Sequence, residues 1–223
     1  MPIDRARLSA LALASVLAGP AAHALPPVPG TAGDLAGEAA SPEAQDVAHR
    51  VLRSGDHRGM PFAIVDKKDA RLYLYSPRGR LLGATAVLLG MARGDHSVPG
   101  VGDLPPARIP PADRTTPAGR FMTEPGRNLD GEDVVWFDYH AGLAIHRVRA
   151  NAAQQARLQR LESNSPEATR VSAGCIVVPV AFYESVVRPL LGQRRGVIYV
   201  LPETSAARDL FAAVGRDPPV LPL

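Results

Sequence analysis

The chain has 223 residues, of which 46% are hydrophobic, with a formal net charge of +3 and a single cysteine. That length fits one globular domain with appendages, and the hydrophobic share suffices for a buried core. So small a field argues against a nucleic-acid partner despite a pI near 9.3, and one cysteine excludes an internal disulfide.

Residues 1–24 have the form of a secretory signal. Arg5 and Arg7 make a basic start, Leu8 to Val16 is apolar, and Gly19-Pro20 breaks any helix. Ala22-His23-Ala24 then has the small-x-small form of a cleavage site. The apolar run is shorter than the roughly 20 residues a membrane span needs. Cleavage and export to the periplasm or cell wall are therefore expected, with no stable membrane insertion afterwards. Residues 25–40 are rich in Pro, Gly and Ala and read as linker. Ser41 and Pro42 open a short helix carrying Ala44, Val47, Ala48, Val51 and Leu52 on one face. Linker and helix together fill residues 25–60, ahead of a domain at 61–201 and a polar, Pro-ended tail at 202–223.

From Pro61 the pattern turns to strands, at Phe62–Asp66, Leu72–Tyr75 and Leu81–Leu89. Lys67-Lys68-Asp69 and Ser76-Pro77-Arg78-Gly79 separate them; Lys67 and Lys68 are the only lysines. Gly94 to Asp113 is a long loop with prolines at 99, 105, 106, 110 and 111, long enough to suggest a lid. Strands are expected again at Gly119–Met122, Val134–Tyr139 and Leu143–His146. Asn151 caps an expected helix to Leu161, and Pro179 opens another over Val180–Arg188, ended by Pro189. A last strand covers Gly196–Leu201. The sum is a mainly β domain with peripheral helices.

The chemistry centres on Arg170-Val171-Ser172-Ala173-Gly174-Cys175-Ile176-Val177-Val178, where the only cysteine follows a small, flexible turn. A free thiol in an oxidising compartment is a liability unless it is buried or used. Gly174 lets the backbone bend and a carbonyl approach closely, and successive N–H groups at such a turn suit an oxyanion. A thiol is only a few per cent ionised near neutrality, so it needs a base or a positive neighbour. His146, closing the strand Gly142-Leu143-Ala144-Ile145-His146, is the best candidate.

With these residues in view, the chain resembles the L,D-transpeptidase (YkuD-type) family. Ser172-Ala173-Gly174-Cys175 is similar to the family's Ser-x-Gly-Cys signature, and Ala144-Ile145-His146 to its His-bearing strand. Thr116-Pro117-Ala118-Gly119-Arg120-Phe121 resembles its Thr-Pro-x-Gly-x-Phe element. Three motifs in the family's order are more specific than any one. The resemblance implies a YkuD-type, β-sandwich-like catalytic domain that forms or remodels peptidoglycan cross-links in the cell wall. Cys175 would attack the donor stem peptide and His146 would act as base, with backbone N–H groups of Gly174 and Cys175 holding the oxyanion. The thioester would pass to an amine on another stem, or to water in an L,D-carboxypeptidase. A backbone carbonyl often orients the family's histidine. An activated Cys175 is then expected to be alkylated rapidly near neutral pH.

Two positions depart from the family. Ala173 stands where many members have His, and Val177 where Arg or Asn is common. Val177 cannot hydrogen-bond, so a non-catalytic protein that binds peptidoglycan through a YkuD-like groove is a second reading. Ser172, Arg147, Arg149 and Arg170 are substrate-binding candidates by proximity in sequence. Ser172 otherwise reads as a hydrogen-bonder within the loop rather than as a nucleophile. His140 precedes His146 by six residues without a motif, and His57 and His96 read as solvated loop residues. Trp136 and Tyr139 read as core or groove wall. With histidines scattered and one thiol, neither metal nor cofactor is expected.

Overall fold

The computed structural model describes residues 40–163 and 165–211. The expected signal at 1–24, the linker up to residue 39 and the tail from residue 212 lie outside the described residues.

The first helix, α1 (Pro42–Ser54), forms for the reasons its sequence suggests. The Ser41 hydroxyl accepts from Ala44 N–H at 3.2 Å, Pro42 occupies the first turn, and Gly55 ends the helix at φ 66°. Ala44, Val47, Ala48 and Val51 are buried on one side.

Ten strands follow: β1 (Phe62–Asp66), β2 (Arg71–Tyr75), β3 (Leu81–Ala86), β4 (Leu89–Gly90), β5 (Gly119–Arg127), β6 (Asp133–Asp138), β7 (Leu143–Arg147), β8 (Arg170–Ser172), β9 (Ile176–Val178) and β10 (Gly196–Val200). Eight make one sheet in the order β3-β2-β1-β10-β5-β6-β7-β9, parallel at β1/β10 and β7/β9 and antiparallel elsewhere. β4 and β8 form a separate parallel pair. Just past β3, Leu88 exchanges hydrogen bonds with Val177 of β9 at 2.8 and 2.9 Å, so the two ends of the sheet nearly meet. The fold is thus mainly β, a near-barrel with helices outside.

Alternation along the strands builds two large cores and a smaller one beneath α2 (Gln154–Glu162). Ala63, Val65, Ile145, Ile176, Val178, Ile198 and Val200 face inward with Tyr183, Val187 and Leu191. Phe62, Ile64, Val197 and Tyr199 face outward beneath α1 and α5 (Ala207–Leu210). Phe62 stacks on Tyr75 at 4.7 Å and meets Tyr199 edge-on at 6.2 Å. Because both faces of β1 and β10 are covered, all their residues are buried.

Several boundaries differ from expectation. The run from Leu81 to Leu89 is two strands, because the chain changes partners at Leu88. β5 continues to Arg127 through Pro125-Gly126, where the Trp136 indole occupies the space a Cβ on Gly126 would need. The helix α2 (Gln154–Glu162) is capped at Ala153; the Asn151 carboxamide oxygen instead accepts from Ala153 N–H at 3.0 Å, ahead of the helix. Past Pro179, α3 (Val180–Phe182), a π turn (Tyr183–Val187) and α4 (Arg188–Leu190) run on as one segment. Pro189 does not end it; the wide turn comes first and relieves the clash its ring would make with the preceding turn. The loop from Gly94 to Asp113 holds three 3₁₀ turns, two of them opened by Pro106 and Pro111.

Candidate active site

Parallel pairing of β7 with β9 sets Ile145 opposite Ile176 and His146 opposite Val177. Cys175 lies one residue before β9. Extending the register by that residue sets it opposite Ala144, on the same face as His146 and diagonal to it. Both side chains are half-buried. The thiol donates to Gly142 O at 3.7 Å, and the imidazole Nδ1 lies 2.8 Å from Arg147 O. A carbonyl oxygen only accepts, so Nδ1 carries the proton and Nε2 keeps its lone pair. This is the tautomer a base requires, and no carboxylate sets it. Among the described residues no hydrogen bond joins Sγ to the ring; in unliganded sites such bonds are often long.

The electrostatics describe a resting pair that is neutral on both sides. Burial pulls the His146 pKa down to about 4, reinforced by the Arg149 charge and opposed by the Arg147 carbonyl and Glu132. Burial pushes the Cys175 thiol up, against a hydrogen bond from the Ala144 backbone and the Arg149 charge. At the thiol, desolvation outweighs the positive neighbour.

The turn carrying Cys175 is tightly held. Gly174 has φ 123°, and a Cβ there would meet Thr115 O at 2.7 Å and a Leu143 methyl at 2.8 Å. Glycine is required on both counts. The Ser172 hydroxyl donates to Cys175 O at 2.6 Å and accepts from Gly174 N–H at 3.1 Å. Ser172 is thus an organiser of the turn. The Gly174 N–H expected to face an oxyanion is already committed to Ser172, which leaves Cys175 N–H as the donor to consider.

The arginines separate by face. Arg147 follows His146 and so points to the other side of β7, over the Tyr183 ring at 5.4 Å and 3.3 Å from Glu184. Arg170 is buried in an ion pair with Glu203 at 2.5 Å and donates to Lys67 O at 2.8 Å. Neither faces the thiol, because nearness in sequence says nothing of which side of a strand a residue takes. Arg149, paired with Asp130 and Glu132 at 3.2 Å each, is the one whose charge reaches both Cys175 and His146.

Val177 packs with Leu88, Val148 and Leu161 beneath α2, so its apolar side chain is a core requirement. His57 is buried rather than solvated, with Nε2 2.9 Å from Pro77 O and its ring 5.3 Å from Phe62. His96 and His140 are exposed.

Trp136 pairs with Glu124 on one side and Ala144 on the other, so all three share the face of Cys175. There a cleft of about 420 Å³ is lined by Met122, Glu124, Gly126, Arg127, Trp136 and Tyr139, among others. Strands lie about 4.8 Å apart, which sets Trp136 about 10 Å from the strand of Cys175. Trp136 and Tyr139 are its wall, with rings 5.2 Å apart and Tyr139 72% exposed. Among the described residues no three His, Cys, Asp or Glu side chains stand together as a metal would need, and no helix is long and apolar enough to cross a membrane.

No protein-family model matches the chain, and no curated protein matches it. Solved structures do. Two crystal structures of the helical cell shape determining protein Pgp2 from Campylobacter jejuni, one a point mutant, are 16% identical with TM-scores of 0.42. They cover 66% of this chain, which spans about half of theirs, 48% and 49%. The NMR structure of the catalytic domain of an E. faecium L,D-transpeptidase is 20% identical with a TM-score of 0.31, covering 63% of this chain and 95% of that domain.

Proposed function

We propose that this chain is an exported cysteine acyltransferase of the L,D-transpeptidase type, working on peptidoglycan stem peptides. The observation that carries the reading is the pairing of β7 with β9. It sets the sole thiol and an imidazole whose Nε2 keeps its lone pair on one face, where a cleft opens two strands away at Trp136. The three family motifs meet around that face: the Thr116 hydroxyl donates to Gly174 O at 2.9 Å.

In this mechanism Nε2 of His146 takes the thiol proton as Sγ attacks the carbonyl of the L,D bond in the donor stem. The S–C bond forms, the oxyanion is held by Cys175 N–H, and the C–N bond breaks. The imidazolium returns its proton to the departing D-alanine amine. An amine of a second stem, or water, then attacks the thioester, and Sγ leaves as the thiol again. The cleft gives a second chain room on the reactive face.

Purified protein incubated with disaccharide tetrapeptides should yield 3→3 dimers by transfer to an amine, or tripeptides by transfer to water. Which product dominates decides between transpeptidase and carboxypeptidase. Neither product, with Cys175→Ala indistinguishable from the unmodified chain, would remove the enzymatic reading in favour of peptidoglycan binding alone.

A further inference from the structure

Behind the nucleophile's turn lies a lysine that the mechanism above does not use. Lys67 sits between β1 and β2, where turn residues are usually solvated, yet its side chain is 0% exposed. Its Nζ donates to Gly94 O at 2.5 Å, Asp95 Oδ1 at 2.8 Å and Thr116 O at 2.9 Å. Those three bonds exhaust an ammonium's donors. Burial lowers its pKa, opposed by Asp95 and Glu203. The Asp95 carboxylate also accepts from the Glu203 and Thr204 backbone N–H groups at 2.8 and 3.0 Å. Although burial works against it, the hydrogen bonds from Lys67 and Thr204 hold that carboxyl well below the usual range. Glu203 pairs in turn with Arg170.

Burying so many charges is costly, and apolar residues of similar volume often serve stability as well. What distinguishes this network is where one arm ends. Thr116, also 0% exposed, has its carbonyl on Lys67. Its hydroxyl accepts from Gly90 N–H at 2.9 Å and donates to Gly174 O at 2.9 Å. That carbonyl and Cys175 N–H belong to one planar peptide unit and point in opposite directions. Fixing the carbonyl end therefore aims the N–H end.

We propose that Lys67 and Thr116 form a positioning relay that aims the Cys175 N–H at the oxyanion of the acyl-transfer transition state. The relay rests on the reading of Cys175 as nucleophile. Neither residue touches substrate. Lys67 holds Thr116, and Thr116 holds the peptide.

The test separates oxyanion stabilisation from thiol reactivity. A carbapenem acylates by S–C bond formation and opening of the lactam C–N bond, with the thiol proton passing through His146 to the lactam nitrogen, and it needs the oxyanion donor. Iodoacetamide alkylates by displacing iodide and needs none. Thr116→Val and Lys67→Met should slow carbapenem acylation, followed by intact mass, by about 10²-fold, the usual effect of one lost oxyanion donor. Their alkylation rates should stay within about threefold of the unmodified chain, and Thr116→Ser should restore acylation. Acylation at the unmodified rate in folded Thr116→Val and Lys67→Met overturns the relay. So does a parallel fall in both reactions with a lowered melting temperature, the mark of a merely structural role. If Lys67→Met does not fold, the Val and Ser pair at position 116 decides alone. An unmodified chain that is alkylated but never acylated overturns the acyl-transfer reading itself, and the relay with it.

Discussion

The charge state of the resting pair gives the sharpest prediction. With the His146 pKa near 4 and the thiol raised by burial, the ring is neutral and the sulfur protonated through the neutral range. An ordinary thiol is about 3% thiolate at pH 7, and Cys175 should fall below that. Moving its proton to the ring before attack would be uphill, because burial disfavours the charged form of both groups. Proton transfer must then accompany S–C bond formation. A preformed thiolate–imidazolium pair would instead have a thiol pKa of about 3–4 and alkylate at a plateau from pH 5 to 7. The assay is iodoacetamide alkylation from pH 5 to 10, read by mass, for the unmodified chain and His146→Gln. The rate should climb about tenfold per pH unit, about 100-fold between pH 6 and 8, without a plateau below pH 8.5. The two proteins should nearly coincide, while carbapenem acylation falls by about 10²–10⁴ in His146→Gln. A plateau at pH 5–7 that disappears in His146→Gln would refute the reasoning.

Other outcomes follow from single contacts. Gly174→Ala should cost about 1–3 kcal/mol of stability, seen as a lower urea midpoint, because φ 123° and the Thr115 carbonyl at 2.7 Å both oppose a side chain. Val177→Arg should destabilise by about 3 kcal/mol by forcing a charge among Leu88, Val148 and Leu161. His146 also links stability to pH. Its folded pKa lies below the unfolded value near 6.5, so the unfolded chain takes up a proton that the fold resists. The contribution, up to about 3 kcal/mol, is complete above pH 6.5 and is lost as pH falls towards 4. Urea midpoints at pH 4 and 7 should diverge more for the unmodified chain than for His146→Gln.

That Cys175 and His146 lie near each other was legible in the sequence because each closes a short motif, and alternation along β7 and β9 puts them on one face. Strands with one plain role were legible too: Phe62–Asp66 is apolar at its first four positions and is covered on both faces. What escaped detection depends on partners far along the chain. Arg170 looked like a substrate contact beside Cys175, but Glu203 holds it on the other side. Lys67 and Lys68 looked alike as turn residues, although only Lys67 enters the interior, towards Thr116. The expected strand Gly119–Met122 stopped short of Arg127 because nothing local shows that Trp136 lies over Gly126. The run through Leu88 resembled one strand because a change of partner leaves no mark in an apolar stretch.

The central claim is a covalent one. Rapid-quench intact mass spectrometry of the protein mixed with a disaccharide tetrapeptide should show, before product accumulates, an adduct equal to the donor less D-alanine. Peptide mapping should assign it to Cys175, and Cys175→Ala should lack it. Turnover of the tetrapeptide with no adduct on the sulfur at any time, or with the Ala variant equally active, would contradict the account.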